Sequence, residues 1–243
     1  MPCAIENTRF TGTEVLRYEV FYNLNFVWIP AGDVTFTVQE TDSTYIYDVI
    51  GKTYPSYEWF YKVYDTFHAE VDKNTLLPLR AARSVEEGGF TKNETVTFYQ
   101  ESEYAESDLT RKGEHKGIKK VSIDQCVQDI LSALYYFRNQ KVSELKKSED
   151  IPFSIYLDQE IYNTSIRFCG EKKKKIKGLG KCKTYMIQPT VIAGEVFKEG
   201  DEMKVYVSAD DNLLPLMVES PVVVGSVKAV LREYKDLKYP LQL

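Results

Sequence analysis

Only one stretch of this chain carries a helical period, so nearly everything else has to be explained as strand and turn. In SIDQCVQDILSALYYFR (122–138), Val127, Ile130, Leu131 and Leu134 fall at i, i+3, i+4 and i+7, which puts them on one helical face. Ser122 with Gln125 has capping-box spacing, and Asp124 is a second N-cap candidate. The spacing predicts one amphipathic helix over about 124–139, packed across or plugging a β structure, with the four apolar residues buried.

Long tracts of alternation flank it. Leu16, Tyr18, Val20 and Tyr22 share one face of a first strand, and Val34, Phe36 and Val38 share a face of the return. Tyr45, Tyr47 and Val49 follow, then Phe67, Ala69 and Val71 against Thr66, His68 and Glu70. Beyond the helix, strands are expected at 152–156, 162–168, 176–187, 203–207, 216–218 and 222–234, with a connection over 189–197. Residues 101–120 are charged and read as an exposed hairpin or loop. The fold class expected is all-β, an antiparallel barrel-like or two-sheet arrangement with one helix. A length of 243 residues suits a single domain, 1–243. DKNTLLPL (72–79) echoes DDNLLPL (210–216). Either these are two turns of one type, with Asx side chains bonding the backbone, or halves of about 14–120 and 151–238 are pseudo-repeats joined by the helix.

Charge and composition exclude more than they identify. The net charge of −5 gives no basic surplus for nucleic acid or anionic lipid. Lys172–Lys175 is the one basic block, either a solvated hairpin tip or a polyanion contact. No apolar run is long enough to span a membrane as a helix, and the N-terminus lacks a signal-peptide pattern, which suits a cytosolic protein or a mature form. The four cysteines form no C-x-x-C pair, which speaks against structural zinc. Cys169 and Cys182 lie on strands of one expected hairpin and could bond in an oxidising compartment; Cys3 is a candidate lipid-anchor cysteine. Oligomeric state is open.

The motif search yields no catalytic residue, no metal site and no cofactor. The two histidines, His68 and His115, sit on an outward strand face and in the charged loop. No G-x-S-x-G, H-E-x-x-H, Walker or G-x-G-x-x-G motif occurs. Asp210-Asp211-Asn212 resembles the start of a calcium loop without its later ligands. Paired-carboxylate hydrolysis would rest on Asp65 with Glu86-Glu87; a charged strand end is the plainer reading. Residues 54–64 crowd Tyr54, Tyr57, Trp59, Phe60, Tyr61 and Tyr64 together. Such a cluster is usually core. The alternative is a platform for a sugar ring or acyl chain, with Tyr57, Trp59 or Tyr61 bordering the largest cavity. Finally, a hairpin of 65–71 with 79–85 would set Val71 opposite Leu79, Ala69 opposite Ala81 and Phe67 opposite Arg83. Asp65 and Arg83 then become diagonal neighbours on the core side, expected to pair as a structural ion pair.

Several blocks carry a family resemblance: LRYEVFYNLNFVWIPAGDVTF (16–36), YKVYDTFHAEVDKNTLLPLRAARSVEEGGF (61–90), DILSALYYFR (129–138), Gly180-Lys181-Cys182, and the stretch 194–231. Within the second, Asp65, Asp72, Pro78, Glu87 and Gly88 match the pattern of an Asp before a strand, an Asp at the turn, a Pro, then Glu-Gly. Together they resemble a bacterial exported family known as domain of unknown function 3108. The resemblance implies an all-β, barrel-like fold similar to the YmcC-like lipoproteins and a place in the cell envelope, periplasmic or outer-membrane associated. A non-catalytic protein binding a lipid, glycan or protein partner is then the leading expectation, and a carboxylate-based hydrolase of an envelope glycan or ester the alternative.

Overall fold

The computed structural model describes residues 3–24, 27–124, 126–190, 202–222 and 225–243. Among the described residues fourteen strands run in chain order: β1 (Val15–Leu24), β2 (Val27–Glu40), β3 (Thr44–Thr53), β4 (Tyr64–Asp72), β5 (Pro78–Glu87), β6 (Phe90–Tyr99), β7 (Tyr104–Arg111), β8 (Glu114–Ser122), β9 (Glu149–Leu157), β10 (Glu160–Ile176), β11 (Gly180–Pro189), β12 (Lys204–Ser208), β13 (Pro215–Pro221) and β14 (Ser226–Lys235). One α-helix, α1 (Ile130–Arg138), lies between β8 and β9. All strands belong to one antiparallel sheet ordered β8-β7-β6-β5-β4-β3-β2-β1-β14-β13-β12-β11-β10-β9. Each strand thus pairs with its sequence neighbour, except that β1 and β14 join the two ends of the chain at the middle of the sheet. β8 and β9 are left as the two edges.

The sheet does not close through a ladder between β8 and β9; side chains and the helix bring those edges together. Tyr156 on β9 packs edge-on against Phe98 on β6, with ring centroids 5.8 Å apart, and its hydroxyl lies 2.8 Å from the Ser107 hydroxyl on β7. The β9–β10 turn reaches further still. The Gln159 amide donates to the carbonyls of Ser107 (3.3 Å) and Gly117 (2.9 Å), and its backbone N–H donates to Glu94 (2.9 Å).

The interior is filled by α1 and the N-terminal arm. Tyr47 stacks on Tyr135 of α1 with centroids 4.0 Å apart, and Phe10 of the arm sits edge-on to Tyr45, Tyr47 and Tyr135. Beside them Arg138 donates twice to the Glu14 carboxylate, at 2.5 and 2.9 Å, and both residues are almost wholly buried. A buried charge persists only when paired and hydrogen-bonded; here the pair ties the end of the helix to the entry of β1.

The helix is shorter than its period suggests. Its N-cap is Asp129, whose carboxylate accepts from the N–H groups of Leu131 and Ser132 while the Ser132 hydroxyl accepts from the Asp129 N–H. Ser122 is instead the last residue of β8, and Gln125, the other half of the expected box, lies outside the described residues. Gln128 is bound in extended form, donating to Ser154 and accepting from Tyr156 of β9. Val127 and Leu131 are buried as expected, but Val127 precedes the helix, Leu134 is partly exposed and Ile130 is 40% exposed. The competing backbone partner on β9 removes the first turns of the helix and rotates its buried face towards Leu131, Tyr135 and Arg138.

The two echoing turns share geometry. Asp72 accepts from the N–H groups of Asn74 and Thr75, and Asp210 accepts from that of Asn212. Each turn then places its first leucine, Leu76 (φ 54°) or Leu213 (φ 45°), in the left-handed region before Leu-Pro enters the next strand. Asp210 also accepts from the Gln242 N–H, so the carboxylate of the calcium-loop lookalike is spent on holding backbone.

The cysteine pairing differs from expectation. Cys3 and Cys126 form a disulfide across 123 positions, whereas Cys169 and Cys182 are free. In the β10–β11 ladder Cys182 faces Lys174, and Cys169 falls in an irregularity between Phe168 and Glu171, so the two are not opposed. With the Cys3 sulfur in the disulfide, no thiol remains there for a lipid thioether.

Candidate functional site

The aromatic stretch forms a tight turn between β3 and β4. The Tyr57 N–H donates to Tyr54, and those of Phe60 and Tyr61 both donate to the Tyr57 carbonyl. Such a turn has no inside in which to bury large rings. Trp59 is 83% exposed, Phe60 66% and Tyr61 48%, while Tyr57 is half-buried. The core reading is therefore wrong for Trp59, Phe60 and Tyr61, and neither cleft described below is bordered by Tyr57, Trp59 or Tyr61. The residues form a convex tip instead. The Trp59 indole N–H is satisfied within the turn by the Ser56 carbonyl at 2.9 Å. The Tyr61 ring packs against Gly88 (φ 54°), where a side chain would collide with it. The turn's end is fastened to β5 by the Gly88 N–H on the Lys62 carbonyl (2.8 Å) and by Lys62 on Glu86 (2.8 Å).

The same end of the sheet gathers other exposed or half-exposed apolar side chains, because the strands alternate in direction. Val27 and Trp28 open β2, Tyr64 opens β4 and Phe90 opens β6. Lys228 sits 4.0 Å above the Trp28 ring, and Lys92, Arg111 and Lys112 surround Phe90 at 5.5–5.8 Å. Both tryptophans of the chain are in this group.

Below the turn lie Asp65, Glu86 and Glu87. The Glu86 N–H donates to Asp65 (3.1 Å), and the Glu87 carboxyl shares a hydrogen bond with that of Asp65. Burial, reinforced by the Glu87 charge, pushes the Asp65 carboxyl up to about 7. The carboxylates thus meet, but in contact with each other and outside both clefts. That is too close to hold a water or a sugar oxygen between them, as glycoside hydrolysis requires.

Arg83 does not pair with Asp65. The register holds at Phe67 opposite Arg83 and Ala69 opposite Ala81, but an irregularity after Glu70 puts Val71 opposite Pro78 rather than Leu79. Arg83 turns to the other neighbouring strand, where Glu94 stands directly opposite, and donates to it at 3.0 and 2.7 Å. A direct cross-strand partner lies nearer than a diagonal one. Arg83 also meets Asp158 of the β9–β10 turn, as does Lys92 at 2.8 Å. These cations hold the Asp158 carboxyl below its ordinary value despite the opposing effect of burial. The four residues form a charged clasp that pins the β9–β10 turn onto β5 and β6. Glu94 was legible as the residue facing Arg83 once β6 was in register; Asp158, distant in sequence, carried no local signal.

Two clefts stand out among the described residues. One lies between the start of α1 and the sheet, lined by Phe67, Arg83, Glu94, Asp129, Leu131 and Tyr156, with a volume of about 30 Å³. That is room for roughly one water molecule. The other, about 370 Å³, is an open hollow around Gln140, Leu145 and Pro152. Its carboxylates are already engaged: Asp150 with Arg167 (2.8 Å), Glu149 with the Lys146 N–H (2.8 Å) and Glu144 with Lys141 (3.7 Å). Among the described residues no group of three His, Cys, Asp or Glu could hold a metal ion, and no helix is long and apolar enough to cross a membrane.

An incompletely closed antiparallel barrel, plugged by one helix and crowned by aromatic side chains, is the class of protein these features define. The chain belongs to the family described as Protein of unknown function (DUF3108), whose model matches residues 17–232. Its fold is similar to the crystal structure of a beta-barrel-like protein of domain of unknown function DUF1849 from Brucella abortus. That likeness has a TM-score of 0.61 at 7% identity, over 95% of this chain and 99% of the other. No curated protein matches the sequence.

Proposed function

We propose that this is a non-catalytic binding protein of the cell envelope, exported to the periplasm or outer membrane, which meets a lipid, glycan or protein partner at its aromatic end. The observation that carries the reading is the exposure of Trp59, Phe60 and Tyr61 on a turn closed by its own backbone hydrogen bonds. Apolar side chains held rigidly in water are a common mark of an interaction surface. The narrow internal cleft argues against a ligand held inside the barrel. The Cys3–Cys126 disulfide supports export, since such bonds persist mainly in oxidising compartments. The hydrolase alternative gains nothing from the directly bonded Asp65 and Glu87.

Intrinsic fluorescence tests the reading, because both tryptophans report on this end. Micelles of an acyl-chain detergent and a soluble oligosaccharide are titrated separately into the protein. A saturable spectral shift with either, lost in Trp59→Ala and Tyr61→Ala, is the expected result. Hydrolysis of an ester or glycoside by the wild type, abolished in Asp65→Asn, would overturn it in favour of an enzyme.

A further inference from the structure

The β10–β11 hairpin presents an arrangement that folding alone does not favour. In its ladder Lys173 stands directly opposite Lys183, and Lys175 directly opposite Lys181. Like charges facing each other across a ladder destabilise it. Lys172, Lys173, Lys175, Lys177, Lys181 and Lys183 are all exposed. Relief is partial: Glu171 reaches Lys183 at 3.3 Å, and Lys174, between the exposed ones, is drawn to Glu219 at 3.2 Å. This cationic ribbon belongs to a chain whose net charge is −5. It is also firmly seated. Ile176 and Cys182, each 1% exposed, pack in one cluster with Tyr206, Met217 and Val230, and Arg232 donates to the Lys177 carbonyl.

Protection of a free strand edge would explain part of this. The β9 ladder stops at Phe168, which leaves the rest of β10 unpaired on that side, and lysines on an edge discourage further pairing. The β11–β12 ladder likewise begins only at Thr184, but guarding two edges does not call for lysines set directly opposite one another, as Lys173–Lys183 and Lys175–Lys181 are.

We propose that the face formed by Lys173, Lys175, Lys181 and Lys183, with Lys177 at the turn, is a docking surface for an anionic phospholipid bilayer. The chemistry of the patch selects that partner. It consists of ammonium groups, with no guanidinium fork for bidentate capture of a single phosphate. No aromatic residue stands among the exposed lysines to stack a base or a sugar ring. A flat array of point charges suits an extended charged surface, where each lysine near the headgroups adds about fivefold in affinity. The inference is independent of the aromatic end and stands or falls on different residues.

Co-sedimentation with vesicles tests it. The protein should bind vesicles of equal parts phosphatidylcholine and phosphatidylglycerol, ignore pure phosphatidylcholine, and dissociate as salt rises. Lys175→Glu and Lys181→Glu each reverse one charge and should each weaken binding by about tenfold or more. Each also places a glutamate opposite a lysine, so thermal unfolding should be unchanged or raised. Lower binding with undiminished stability separates docking from edge protection. Should either variant fold poorly, Lys173→Gln with Lys183→Gln removes two charges without reversal and should weaken binding similarly. Equal binding to both vesicle types, unaltered binding by the variants, or tighter binding to soluble polyphosphate or duplex DNA than to the vesicles would overturn the proposal.

Discussion

At the scale of single residues, two ionisable pairs, one buried and one partly exposed, behave oppositely. Glu14 and Arg138 satisfy each other, so removing one partner strands the other. Glu14→Gln and Arg138→Leu should each cost roughly 3–5 kcal/mol, and the double variant much less than the sum, measured by denaturant unfolding. Asp65 and Glu87 are like-charged. The folded state keeps the Asp65 proton up to about pH 7, while the unfolded chain releases it near 3.8. Between these values the folded protein binds more protons, so this group's contribution to stability falls as pH rises through the window. In urea titrations below and above that window, Asp65→Asn should lose less stability than the wild type on going to the higher pH. Equal losses would mean that another group titrates there. Leu131, buried against the sheet, should cost about 2–5 kcal/mol when cut to Ala; a loss under about 0.5 kcal/mol would mean the helix does not plug the barrel.

At the scale of elements, the segment between β8 and α1 is held by the disulfide at Cys126, the bridge at Gln128 and the cap at Asp129. Cys3→Ser frees the N-terminal arm, which carries Phe10 into the core, and should destabilise by about 2–5 kcal/mol. Thiol labelling of the unreduced, unfolded protein should find Cys169 and Cys182 only; labelling of all four cysteines would dismiss the bond. The helix period was legible in the sequence, but its start was not. A β9 backbone that competes for Gln128 cannot be seen from residues 122–138. The hairpin register was legible from Phe67 to Ala69 because the buried face fixes it. It failed at Val71, where the turn's left-handed Leu76 sets a different exit.

At the scale of the whole molecule, the sheet is held in its curve by contacts between elements far apart in sequence: Tyr156 on Phe98, the Arg83–Asp158 clasp, and Gln159 on Gly117. The aromatic turn contributes little to that framework. Trp59→Ala with Phe60→Ala should leave unfolding free energy within about 0.5 kcal/mol of the wild type while removing ligand-induced fluorescence change. A large destabilisation would show that the rings belong to the core after all.

The sequence by itself determined the all-β class, the single helix and most strand positions, because period and turn chemistry are local properties of the chain. It also determined that the lysine block would sit on a hairpin. Only the tertiary structure decided that Arg83 faces Glu94 and Asp158, that Cys3 meets Cys126, and that the aromatic cluster points outward. Each of these depends on which strand lies beside which and on how far the sheet curls. Alternation says that a side chain has a face, but the neighbouring strands decide whether that face meets a partner, the core or water.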